Sequence, residues 1–137
     1  MKIPGLRSSY EKVGGIVFFG RMLDKIRLHA KGKLPMDYNL GRGLDGRCTR
    51  FLKVEYAAVV ERVLEGGIDE EILEWCFQKG HRPGDEEILV WNAFMTKRGW
   101  RDDASEWLEQ EKKKRGFAHR DDIQTAFDFH NADETED

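Results

Sequence analysis

Two short stretches carry side chains that can do chemistry. In Gly20-Arg21-Met22-Leu23-Asp24-Lys25, two cations and an acid crowd one segment. In Leu44-Asp45-Gly46-Arg47, an acid and an arginine follow a glycine-rich loop. Arginine grips a phosphate or carboxylate through two parallel N–H donors, and lysine holds it as a point charge. An aspartate nearby can give or take a proton. Arg21, Asp24, Lys25, Asp45 and Arg47 are therefore the candidate residues of an anion site. As a binding site, they would hold a small anionic molecule or an acidic protein segment. As an enzyme, Asp24 or Asp45 would be the acid/base while Arg21, Lys25 and Arg47 hold the phosphate or carboxylate of a metabolite.

Charge balance sharpens the point. On a helix, Val17, Arg21, Asp24 and Leu28 share one stripe, with Lys25 beside Arg21. Covering Val17 and Leu28 would partly bury Arg21 and Asp24, and a buried charge is costly unless paired. Asp24 lies three residues from both Arg21 and Arg27. One aspartate does not neutralise three cations, so a bound anion or an acid from elsewhere in the fold would complete the balance. The plainer reading is a solvated cationic face, with Lys31 and Lys33 answering the helix dipole. Around the second stretch, Arg42, Arg47, Arg50 and Lys53 add four more cations at a loop and a helix start. Backbone N–H groups at such a start attract anions. Whether the two stretches meet in space is not written in the sequence.

Other motifs give way on inspection. GRGLDG, residues 41–46, has the spacing G-x-G-x-x-G. The dinucleotide fingerprint needs a strand before it and an acid ending a second strand about 20 residues on. Residues 35–40 make a poor strand, and the region downstream reads as the end of a helix over about 55–65. The glycines are read instead as turn formers, with Asp45 capping a short helix from Gly46 to about Leu52. Cys48 beside Arg47 and Arg50 has the positive surroundings that activate a thiol, although a buried inert cysteine is the commoner case. His29, His81, His119 and His130 are scattered, without HExxH or a CxxC pair. No metal and no cofactor are expected.

The elements that must position these residues are helices. DEEILEWCF, DEEILVWNAF, DDASEWLEQ and DDIQTAFDF each open with acids, and three of the segments end in basic residues before Gly80, Gly99 and Gly116. Acids favour the positive end of a helix, cations the negative end, and glycine its left-handed closure. Helices are expected at about 70–79, 86–98, 103–115 and 122–130. Ser8-Ser9-Tyr10-Glu11 reads as a capping box, so a further helix should begin near Ser9, or after Gly14-Gly15, and stop near Gly32. Its inner face would be Ile16, Phe19, Leu23, Ile26 and Ala30. Trp75, Trp91 and Trp107 sit at helical spacing with aliphatics and read as core. The tail from about residue 131 is polar, acidic and expected to fray.

Thus the chain reads as an all-α, single compact domain, residues 1–137, of about six or seven short helices. It is 39% hydrophobic and 36% charged, too apolar for a disordered chain and too polar to sit in a membrane. The net charge of −3 hides a split: residues 1–65 carry 13 Lys and Arg against 7 acids, and residues 66–137 carry 10 against 19. Helix caps use most of the acids in the second half. Two cysteines without a CxxC fit reduced thiols in a cytoplasm.

GRMLDKIRLHAKGKLP, LDGRCTRFL and EGGIDEEILEWC together resemble a bacterial family of uncharacterised proteins, the domain-of-unknown-function family 5069, over roughly residues 3–110. Where that family has proline, this chain has Gly20, and where it often has Asp-Pro-Glu, this chain reads Val54-Glu55-Tyr56. The resemblance implies a small helical domain. It marks Arg21, Asp24, Lys25, Asp45 and Arg47 as the motif's polar positions without giving them a role. The leading expectation is a non-catalytic binding module. An enzyme using the same residues comes second, and nucleic-acid binding through the basic half comes last, since no recognition module is legible. Self-association is left open.

Overall fold

Gly14 and Gly15 set the start of the fold. Their φ angles of 57° and 81° form the left-handed pair that a two-residue hairpin turn requires. Strands β1 (Lys12–Val13) and β2 (Ile16–Val17) therefore pair antiparallel, Lys12 opposite Val17 and Val13 opposite Ile16. Of the two expected helix starts, the one after Gly14-Gly15 holds and the one near Ser9 does not. Ser8 Oγ accepts from the Tyr10 N–H and closes a turn instead. Helix α1 runs only from Phe19 to Ala30.

In the computed structural model, which describes residues 1–135, six more helices follow. They are α2 (Leu44–Leu52), α3 (Tyr56–Leu64), α4 (Asp69–Lys79), α5 (Asp85–Lys97), α6 (Ser105–Lys114) and α7 (Ala126–Thr135). The result is a single, mostly α domain. Helix α7 continues to Thr135, past the point where the sequence reading frays the tail; residues 136 and 137 lie outside the described part.

The ends of α4 and α5 follow the acid-to-base pattern with one shift of register, whereas α6 starts at Ser105 and α7 only at Ala126, later than the expected 103 and 122. The N-caps of α4 and α5 are Ile68 and Gly84, not the aspartates after them. Neither has a side-chain oxygen, so half of each capping box forms. Glu71 accepts from the Ile68 N–H at 2.9 Å and Glu87 from the Gly84 N–H at 3.1 Å. Asp69 and Asp85 stand at the first helical position, where the dipole still favours them. Gly99 and Gly116 close their helices in the left-handed region as expected. Gly80 does not; it is needed because a Cβ there would collide with the Leu52 carbonyl.

The main core gathers Ile16, Phe19, Leu23 and Ile26 with Leu52, Val59, Ile72, Met95 and Phe127. Ala30, the last residue of the expected inner face, is exposed. Helix α5 clamps the hairpin: the Asn92 amide accepts from the Val17 N–H at 3.1 Å and donates to the Gly15 carbonyl at 2.8 Å. Trp91 donates to the Val17 carbonyl at 3.2 Å and stacks on Phe51 of α2 at 4.5 Å. The hairpin thus fixes where α1 begins, and α5 fixes α2 beside it. A smaller cluster of Leu108, Ile123, Phe129 and Ala132 joins α6 to α7. The space between the two clusters is the candidate site.

Candidate functional site

Helix α1 presents its charges on different sides. Arg21, Asp24 and Lys25 are all buried. Asp24 does not pair with Arg21. It accepts from Arg7 through the backbone N–H at 2.9 Å, Nε at 2.8 Å and Nη2 at 3.0 Å, and lies 3.6 Å from Arg27. Both arginines also reach Asp69, at 2.6 and 2.8 Å. These two arginines hold the Asp69 carboxyl below the usual carboxylate range against the opposing effect of burial. Asp24 therefore belongs to a four-charge knot that ties the N-terminal segment and α1 to the start of α4.

Arg21 finds an acid from elsewhere in the fold. Its Nη1 and Nη2 each donate to one carboxylate oxygen of Glu134 in α7, both at 2.6 Å. The Tyr38 hydroxyl donates to the same carboxylate at 3.0 Å. Burial first, then Glu134, pushes the Tyr38 hydroxyl well above its usual range, so it stays a donor.

Lys25 joins the two candidate stretches. Its Nζ lies 2.8 Å from Asp45 Oδ1 and donates to the Asn39 carbonyl at 2.8 Å. Asp45 has no exposed surface. Its Oδ2 accepts from the Gly41 N–H at 3.0 Å. Oδ1 faces Lys25 off the hydrogen-bonding line and has no hydrogen-bond partner in the described residues. Burial pushes the Asp45 carboxyl up and the Lys25 ammonium down, and each partner opposes the other's shift. Asp45 does not cap α2, which starts at Leu44, two residues before the expected Gly46, behind Gly43. Gly41 explains the first glycine of GRGLDG. Its φ is 77°, and a Cβ there would lie 2.8 Å from the Tyr56 ring. Its N–H serves an internal carboxylate, and the element that leads into the loop is helix α1, not a strand.

Above these pairs opens a cavity of about 550 Å³. Arg21 and Lys25 line it from α1, Arg42, Arg47 and Arg50 from the loop and α2, Trp107 from α6, and Phe129 and His130 from α7. Two further arginines on its wall are matched: Arg98 by Asp102 and Asp103, and Arg115 by Asp37 and Asp133. Arg42, Arg47 and Arg50 have no ion pair among the described residues. Arg42 and Arg50 are exposed, and Arg47 is half-buried with its guanidinium 4.9 Å from the centre of the Phe94 ring. Lys53 stays out of the cavity and ends α2 in the left-handed region.

Of the five candidates, Arg21, Lys25 and Arg47 line one cavity, Asp45 lies beneath it against Lys25, and Asp24 lies outside it. Four wall residues escape a reading by motif. Glu134 falls in the acidic tail and Tyr38 in a loop. His130 is one of four scattered histidines; it shares a hydrogen bond of 2.8 Å with Ser9 Oγ through Nδ1. Burial, then Arg21 and Lys25, hold its pKa well below 6.5. Trp107, read as core, is 45% exposed. At the foot of the cavity Phe18 has φ 74°, a left-handed conformation that strains a bulky side chain. Cys48 is fully buried, and desolvation pushes its thiol far up, so the nucleophile reading fails.

The profile of the family described as "Domain of unknown function (DUF5069)" matches residues 3–136. The chain belongs to this family. The match extends the resemblance beyond residue 110 and takes in α7. The DUF5069 membership therefore covers both walls of the cavity, from Arg21 to Glu134. No curated protein matches the chain. Among the described residues, no helix of this DUF5069 chain is long and apolar enough to cross a membrane.

Proposed function

We propose that this DUF5069 chain is a non-catalytic binding module whose basic cavity takes a small anionic molecule. One observation carries the reading: Arg42, Arg47 and Arg50 line the cavity without an ion pair among the described residues, while the other cations on its wall have partners. Three guanidinium groups in a concave site focus the field on its interior, and each offers a fork of donors to an oxyanion. The volume of about 550 Å³ suits a small molecule. The disposition of the acids supports binding over catalysis. Asp24 is held by Arg7, and Asp45 is sealed under Lys25, so neither aspartate is aimed at a bound anion. An acidic protein segment is a second occupant of the same chemistry, and nucleic acid ranks behind both. Two buried, unpaired cysteines support a cytoplasmic setting.

The test is melting temperature against a panel of phosphates, carboxylates and nucleotides at low salt, for wild type and Arg47→Ala. A ligand of the folded state raises the melting temperature. The proposal expects a rise with at least one anion and a smaller rise in the variant. A wild type indifferent to every anion overturns it.

A further inference from the structure

The cavity has two unlike walls. One is the arginine wall of α2 and its preceding loop. The other comes from α6 and α7 and sets the aromatic rings of Trp107 and Phe129 among the acids Glu111, Asp133 and Glu134. There Trp107 stands 45% exposed, although α6 buries Leu108 beside it. Its ring meets the edge of Phe129 at 6.3 Å and 72°, so one aromatic partner already fixes its orientation. Leu44 and Phe18 continue the apolar lining towards the floor. A large indole left half in water inside a cavity is a surface waiting for cover, because its apolar faces gain by desolvation and stacking. A cavity of about 550 Å³ is also far larger than a bare tetrahedral anion.

We infer that the ligand is an aromatic anion: a phosphate or carboxylate held by Arg42, Arg47 and Arg50, with a flat ring covering Trp107. This rests on the anion-binding reading of the same cavity. The arginines hold the charged end, and Trp107 with Phe129 selects the body. Trp107 is then a specificity-determining residue.

The experiment compares three probes by titration calorimetry at low salt: 1-naphthyl phosphate, cyclohexyl phosphate and inorganic phosphate. Proteins are wild type, Trp107→Ala and Trp107→Phe, each first shown to be folded by its melting curve. Stacking on an aromatic side chain contributes roughly tenfold or more in affinity. Naphthyl phosphate should therefore bind about tenfold tighter than the other two. Trp107→Ala should remove most of that advantage and leave inorganic phosphate unchanged, and Trp107→Phe should keep much of it. Equal binding of all three probes, or an aromatic advantage that survives Trp107→Ala, overturns the aromatic inference and leaves the anion site standing. Equal gains from the cyclohexyl and naphthyl groups also overturn it, in favour of an unspecific apolar wall. No binding of any probe overturns both readings.

Discussion

Glu134 presents its two carboxylate oxygens to the two terminal nitrogens of Arg21, each 2.6 Å away, across 113 residues of sequence. The pair joins the last helix to the first and sits at the edge of the basic cavity. It also shows how the fold satisfies its buried cations: Arg21 takes Glu134, Lys25 takes Asp45, and Asp24 is left for Arg7.

Removing the acid should expose that dependence. Glu134→Ala leaves a guanidinium that is 3% exposed without a counter-ion. Breaking one partner of a buried pair costs about 3 kcal/mol or more. Urea unfolding at pH 7 should show a loss of about that size. Added phosphate should restore more stability in the variant than in wild type, because Arg21 joins the anion site. A variant as stable as wild type sinks this account of the pair.

The Lys25–Asp45 pair makes a different prediction. Burial acts against both charges, so the pair as a whole is expected to contribute little net stability. Lys25→Met alone leaves Asp45 buried without its cation and should cost about 3 kcal/mol. Lys25→Met with Asp45→Leu should recover most of that loss. Denaturation of the two single variants and the double variant checks it. A double variant no better than the worse single variant contradicts the argument.

Acid should weaken the fold through His130. Its folded pKa lies well below the 6.5 of an unfolded chain, chiefly through burial. The unfolded state therefore takes the proton first. The stability from neutral His130 is complete above pH 6.5 and is lost as pH falls below that value, at up to about 1.4 kcal/mol per unit. Wild type should lose stability between about pH 7 and 5.5, and His130→Gln should lose distinctly less. Identical slopes would show that His130 does not carry the effect.

The cysteines should be inert in the folded state. Both are buried, and desolvation pushes the Cys76 thiol up to about 12 and Cys48 further. A thiol-specific disulfide reagent should therefore react slowly with native protein and label both in denaturant. Fast labelling of Cys48 in native protein would revive it as a nucleophile.

Local chemistry made most helices legible. Acids at Asp69 and Asp85 and basic residues before Gly99 mark α4 and α5 because dipole and closure act within a turn or two of sequence. The same logic left two starts for α1; the capping box at Ser8–Glu11 closes only a turn, and the start after the left-handed Gly14-Gly15 pair is the one that forms. Arg21, Lys25 and Arg47 were legible as unexplained charge; for the α1 cluster the sequence left a solvated face, a bound anion or an acid from elsewhere open, and the fold buries Arg21 and Lys25 against Glu134 and Asp45. Glu134 was not legible as that acid. In sequence it is one of several acids in a polar tail, and only the packing of α7 on α5 and α6 brings it to Arg21. Trp107 was misplaced for a related reason. Its spacing fits a helix, but Leu108 and Lys112 define the buried side of α6 and turn Trp107 outward. Long-range packing decides both, and no local pattern encodes it.

Arg42, Arg47 and Arg50 are proposed to hold an anion together. The most direct measurement is calorimetric titration with pyrophosphate at rising salt, for wild type and for the variant with all three arginines changed to alanine. The account predicts saturable binding by wild type that weakens as salt rises, and none by the variant at matched stability. A variant that binds as tightly as wild type would contradict it.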